Sequence, residues 1–247
     1  AAIVSSGAYT AVDKAESDVL TAWKVNALAP AALAVVAAAQ DIPLIHLSTD
    51  YVFDGSKPAP YLEGDPLAPL GVYGASKLGG EMAVRTTAPR HVILRTAWVV
   101  SPHGVNFIRT MLRLAETRDR LGVVDDQRGC PTAAGDIAEA VLALVDRMTG
   151  DRDAATGTYH FVNAGEATWC ELARHVFARS AEAGGKTPTV DAITTADYPT
   201  PARRPANSRL DTGRITRDFG LRPRPWRDAV DDVLAQLLGN RANGGPR

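Results

Sequence analysis

Tyr73 and Lys77 stand four residues apart in Tyr73-Gly74-Ala75-Ser76-Lys77, a spacing that puts a phenol and an ammonium on one face of a helix. Upstream, His46-Leu47-Ser48-Thr49-Asp50 ends an apolar run in hydroxyl and carboxylate side chains. Together these types suit the reduction of a ketone. Hydride addition leaves charge on the carbonyl oxygen, so a proton donor has to sit beside it. A phenol with a pKa of about 10 is a weak acid at neutral pH, and a neighbouring ammonium is expected to lower that pKa by favouring the phenolate. Thr49 would give the carbonyl a second hydrogen bond, and general acid catalysis of this kind is worth roughly 10²–10⁴-fold. Each piece alone has a plainer reading. Tyr-x-x-x-Lys occurs on many surface helices, and Ser48-Thr49 before Asp54-Gly55 is also a cap and turn. Their conjunction across the Pro- and Gly-rich loop 54–70 is what points to a site.

The elements that would position these groups alternate in kind. Short β-rich runs at 3–4, 42–48, 91–97 and 121–124 are separated by helical patterns at 17–39, 74–87, 106–118 and 134–149. That alternation predicts an α/β fold with a parallel sheet. The strands read as continuous apolar runs, so helices should cover both faces of the sheet. Ligands of such sheets bind at the carboxyl ends of the strands, where Ser48 and Thr49 fall. Beyond residue 150 the pattern changes to a strand near 158–162, a helix from Thr168 and an apolar stretch near Val190. A Pro/Arg-rich loop at 199–209 and a last helix from Trp226 follow. Thr168 with Glu171 has capping-box spacing. The expected division is a dinucleotide-binding domain at 1–150, a smaller substrate-binding lobe at 151–238 and a disordered tail at 239–247.

The 27 basic and 28 acidic residues give a net charge of -1, which leaves no field to draw nucleic acid or an anionic membrane. Cys130 and Cys170 belong to no CxxC pair and to no His-rich spacing, so neither a disulfide framework nor a metal site is expected, and a reducing cytoplasm fits best. The most apolar run, 28–39, is about half of the ~20 residues a membrane span needs and reads as a buried helix. The chain opens on Ala1-Ala2-Ile3-Val4, with no targeting pattern, and runs straight into a strand; a preceding segment is expected.

Further segments complete a family pattern. They are Ala8-Tyr9-Thr10-Ala11-Val12-Asp13-Lys14-Ala15-Glu16, Leu94-Arg95-Thr96-Ala97-Trp98-Val99, Asp125-Asp126-Gln127-Arg128-Gly129-Cys130-Pro131-Thr132 and Pro201-Ala202-Arg203-Arg204-Pro205-Ala206-Asn207-Ser208. In order and spacing over residues 1 to 238, the chain closely resembles the dTDP-4-dehydrorhamnose reductases, a family of extended short-chain dehydrogenases. The resemblance implies a Rossmann-like doubly wound sheet and reduction of dTDP-4-dehydro-L-rhamnose to dTDP-L-rhamnose by NADPH or NADH. It implies that Thr49, Tyr73 and Lys77 are catalytic and that Gly7, Ala8, Tyr9 and Ser48, with Tyr73 and Lys77, line the cofactor. It places Thr49 and Trp98 at the sugar. Asn106, Gln127, Arg203 and Arg204 are polar groups on loops at one end of the sheet, suited to hydroxyls and a diphosphate, and arginine forks match phosphate oxygens. Asn26 reads equally as an active-site Asn or a helix-face contact. The family's opening strand and Gly-x-x-Gly-x-x-Gly turn, and with them roughly the first three strands of its sheet, have no counterpart here, which would leave the strand at 1–7 as an apolar edge. A sister deoxysugar ketoreductase and a non-catalytic regulatory subunit are the competing functions. The resemblance leaves a homodimer and a Mg²⁺ ion open, with no residue assigned to either.

Overall fold

A computed structural model describes residues 1–242. The chain forms two compact units, and they are not the consecutive halves expected from a division at residue 150. Unit 1 takes residues 1–97, 138–161 and 200–222; unit 2 takes 98–137, 162–199 and the chain from Pro223 on.

Unit 1 is built on a four-stranded, fully parallel sheet of order β1-β2-β3-β8, formed by β1 (Ile3–Ser5), β2 (Leu44–Thr49), β3 (His91–Thr96) and β8 (Gly157–His160). β2 and β3 are buried almost throughout, as central strands of a covered parallel sheet must be. Their register sets Ser48 opposite Arg95 and Thr49 opposite Thr96 at the carboxyl end. β1 is a short edge strand, with Val4 exposed.

The helix before β2 runs over Val19–Ala39 and is long and apolar enough by length and composition to cross a membrane. It is not the buried helix expected. Ala22, Asn26, Ala27, Pro30, Ala34 and Ala37 form its packed side, while Leu20, Leu28, Val35 and Val36 are exposed. It consists of α2 (Val19–Trp23), a π-helical turn at Lys24–Leu28 and α3 (Ala29–Ala39). α3 packs against α4 (Val72–Thr87), and Ala34, Ala37, Leu44, Val84, Ala88 and Ile93 form a shared core.

Unit 2 holds β4 (Val99–Val100), α5 (Phe107–Ala115), β5 (Arg120–Val124), β6 (Arg128–Gly129), β7 (Thr132–Ala133), β9 (Ala167–Thr168), α7 (Trp169–Glu182), β10 (Thr189–Ile193) and α9 (Trp226–Ala242). Between units 2 and 1 in sequence runs α6 (Ala134–Gly150). The expected core strand at 121–124 does not join the main sheet. β5 pairs in parallel with β10, and its burial alternates, Leu121 and Val123 in and Arg120 and Gly122 out. That is a one-sided strand. The fourth place in the main sheet goes instead to β8, which the sequence reading assigned to the smaller lobe. The helix predicted from Thr168 forms, with the full capping box between Thr168 and Glu171. Helix α9 continues through Ala242, so the tail expected from 239 begins as helix; residues 243–247 lie outside the described residues.

Candidate active site

β2 ends at Thr49, where the chain turns into a 3-10 turn, Asp50–Val52. The Thr49 hydroxyl accepts from the Tyr51 N–H at 3.2 Å and donates to Asp50 Oδ1 at 3.0 Å. Thr49 is therefore the cap of this turn, and its hydroxyl stands at the carboxyl end of β2. α4 starts against this turn, which requires Gly74: a Cβ there would stand 2.1 Å from the Tyr51 carbonyl oxygen. That approach brings the Tyr73 ring edge-on to Tyr51, with centroids 5.4 Å apart. One helical turn on, Lys77 is buried and its ammonium donates to the Leu47 carbonyl at 2.7 Å. Thr49, Tyr73 and Lys77 thus gather at the carboxyl end of β2.

The electrostatics differ from expectation. Burial pushes the Tyr73 phenol up to about 12, and the Asp50 carboxylate adds to the rise while the Thr49 hydroxyl opposes it. The Lys77 ammonium, turned onto Leu47, does not reverse this. The phenol is raised, not lowered. Burial brings Lys77 itself down to about 8, against the opposing charge of Glu81, and lifts Asp50 to about 6. The Ser208 and Thr49 hydroxyls beside the Asp50 carboxylate oppose that rise without cancelling it.

Ser48 points to the other side of its strand. Its hydroxyl donates to Glu81 Oε1 at 2.6 Å, and Arg95 grips the same carboxylate through Nε at 2.8 Å and Nη2 at 2.7 Å. Glu81 and Arg95 are both fully buried. The Ser48 hydroxyl therefore has a protein partner where a cofactor contact was expected. Asn26 is buried in the π-helical turn, its side chain accepting from the Tyr9 N–H at 2.8 Å and donating to the Tyr9 carbonyl at 3.1 Å and to Ser76 Oγ at 3.0 Å. Asn26 is thus a helix-face contact, one that fixes the segment expected along the cofactor. Gly7 is exposed, and a Cβ on it would meet nothing within 4 Å. Open room beside Gly7 and half-buried Ala8, with further donors on the Lys77 ammonium, fits a nicotinamide cofactor at this end of the sheet.

The loop residues divide. In unit 1, Arg204 is half-buried and held by Asp13, with Nη2 to Oδ2 at 2.8 Å, while Arg203 is exposed. In unit 2, Asn106 is the N-cap of α5, its side chain accepting from the Arg109 N–H and donating to the Ser101 and His103 carbonyls. Trp98 has φ 49°, a left-handed conformation that costs a bulky residue on the order of 1–2 kcal/mol. Its indole stacks on Trp169 with centroids 3.5 Å apart and planes 8° apart. Gln127 is buried and bonded to Trp169 and Thr195. Sequence reasoning did not single out Asp50, Glu81 or Trp169. A charged residue inside the apolar strand 91–97 was a signal for a buried partner such as Glu81, which lies one turn past Lys77 on the same helix face. Among the described residues no group of three or more His, Cys, Asp or Glu side chains could hold a metal ion.

The sequence profile of the RmlD substrate binding domain family matches residues 1–238. A dTDP-4-dehydrorhamnose reductase of Sinorhizobium fredii is 51% identical over 237 residues, covering 96% of this chain and 80% of that protein. The crystal structure of a dTDP-4-dehydrorhamnose reductase from Clostridium acetobutylicum superposes with a TM-score of 0.89 at 35% identity, over 96% of this chain and 80% of the other. One from Bacillus anthracis, solved in complex with NADP, superposes with a TM-score of 0.86 at 32% identity, over 95% and 80%.

Proposed function

The chain belongs to the RmlD substrate binding domain family, and from that membership we propose that it reduces the 4-keto group of dTDP-4-dehydrorhamnose to give dTDP-L-rhamnose. The observation that carries the reading is the meeting of Thr49, Tyr73 and Lys77 at the carboxyl end of β2, beside the open Gly7. When bound, NADPH or NADH would supply the hydride. Tyr73, protonated up to about 12, donates its proton to the carbonyl oxygen as charge develops there. The Thr49 hydroxyl, aimed by the Tyr51 N–H, gives that oxygen a second hydrogen bond by turning its one proton from Asp50 Oδ1 to the substrate. Lys77, anchored on the Leu47 carbonyl, has donors left for the nicotinamide ribose, and Asn26 fixes Tyr9 so that residues 7–9 lie along the cofactor. Trp98 and Gln127 meet the sugar. Arg203, whose guanidinium is exposed, meets the diphosphate, with Arg204 bracing the same loop on Asp13. The Asn106 amide caps α5 and shapes the loop before it.

The test is to mix the purified protein with NADPH and dTDP-4-dehydrorhamnose and follow absorbance of the reduced cofactor. NADPH comes first because the Bacillus anthracis relative was solved with NADP. Consumption that disappears in Tyr73→Phe supports the assignment. Absence of consumption by the unmutated protein with NADPH and with NADH overturns it.

A further inference from the structure

Trp98 combines a strained backbone with close contact on both faces of its ring. One face carries Trp169, stacked at 3.5 Å and 8°. On Gly129 a Cβ would stand 2.3 Å from Trp98 Cε2, 2.6 Å from Nε1 and 2.7 Å from Cδ2. Cε2 lies between the other two atoms in the ring, so such a Cβ would sit over the indole plane and not beside its edge. With Trp169 filling one face, the Gly129 backbone covers the other. We propose that Trp169 and Gly129 are positioning residues, which clamp Trp98 between them and aim Gln127, so that unit 2 offers the sugar of the nucleotide-sugar the edge of that indole in a preset position. This rests on the roles given above to Trp98 and Gln127.

The second arm of the clamp is polar. Trp169 Nε1 donates to Gln127 Oε1 at 3.1 Å, and Gln127 Nε2 donates to Thr195 Oγ1 at 3.0 Å. Thr195 in turn donates to Asp126 Oδ1 at 2.6 Å. Both ends of the Gln127 amide are therefore fixed by groups within unit 2. Trp169 is itself held, since it is the first residue of α7, directly after the Thr168 capping box, with Phe107 packed beside it at 4.7 Å. A tryptophan serves where phenylalanine would not, because only the indole both stacks and donates.

Two variants and one spectrum test this. The stacked indoles should give an exciton couplet in far-ultraviolet circular dichroism that vanishes in both Trp98→Phe and Trp169→Phe. In folded Trp169→Phe the KM for dTDP-4-dehydrorhamnose, and the Kd for dTDP-L-rhamnose, should rise about tenfold, with kcat and the KM for NADPH unchanged. Gly129→Ala acts on the opposite ring face and should do the same, so the outcome does not depend on one variant folding. Unchanged sugar affinity in the folded variants overturns the proposal, as does an equal loss for sugar and cofactor, which a merely structural role would give. Failure of the unmutated protein to consume NADPH would instead remove the function reading itself.

Discussion

Tyr73 must carry its proton at the start of each turnover, and burial with the Asp50 charge ensures that it does by holding the phenol up at about 12. Removing the hydroxyl in Tyr73→Phe should lower kcat by roughly 10²–10⁴-fold, with NADPH binding retained, as fluorescence titration of the cofactor would show. On the alkaline side the group of the trio that titrates is then Lys77. Its usual value of 10.5 is brought to about 8 by burial, so the ammonium is present below that pH and is lost as pH rises through it. If the ammonium holds the ribose, kcat/KM for NADPH should fall on an alkaline limb near pH 8. Lys77→Arg should move that limb to higher pH, and a profile flat to pH 10 in the unmutated protein would refute the role. Residue types and spacing were enough to expect Thr49, Tyr73 and Lys77 at one end of the sheet, where they do gather. The direction of the Tyr73 shift was not legible, because it depends on how deeply the phenol is buried and on Lys77 turning to the Leu47 carbonyl. Neither is a property of an i, i+4 spacing.

β2, β3 and α4 are tied together by the Ser48–Glu81–Arg95 network, in which each buried charge depends on its partner. Breaking a fully buried pair by removing one partner strands a charge and costs about 3–5 kcal/mol. Arg95→Met should show that loss in urea melts, and replacing both Arg95 and Glu81 with apolar residues should recover most of it. At the front of α4, Gly74→Ala places a Cβ against the Tyr51 carbonyl, so the helix start must move away from the turn at Thr49. kcat should fall more than tenfold while the melting temperature of unit 1 drops by only a few degrees; an unaltered kcat would show that the spacing is not critical. β2, β3 and α4 were legible because their apolar runs and helical spacing are long. β5 was misread as a core strand, since four residues such as 121–124 are too short to separate an alternating run from a continuous one.

At the scale of the whole chain, the two units were legible only as a change of pattern after residue 150. Their interleaving was not, because which short strand joins which sheet is decided by pairings distant in sequence, such as β3 with β8 and β5 with β10. The interleaving makes a thermodynamic prediction. Trp98, Trp169 and Trp226 belong to unit 2 and Trp23 alone to unit 1, whereas residues 7–9, Thr49, Tyr73 and Lys77 all belong to unit 1. Tryptophan emission therefore reports mainly on unit 2, and backbone circular dichroism reports on both. A ligand stabilises what it binds by about 2.7 kcal/mol at a hundredfold excess over its Kd. If the cofactor is held by unit 1, NADPH should raise the denaturant midpoint seen by circular dichroism more than the one seen by emission. Equal shifts of both signals under NADPH would mean that the units unfold as a single cooperative body, and would remove the assignment of the cofactor to unit 1 alone.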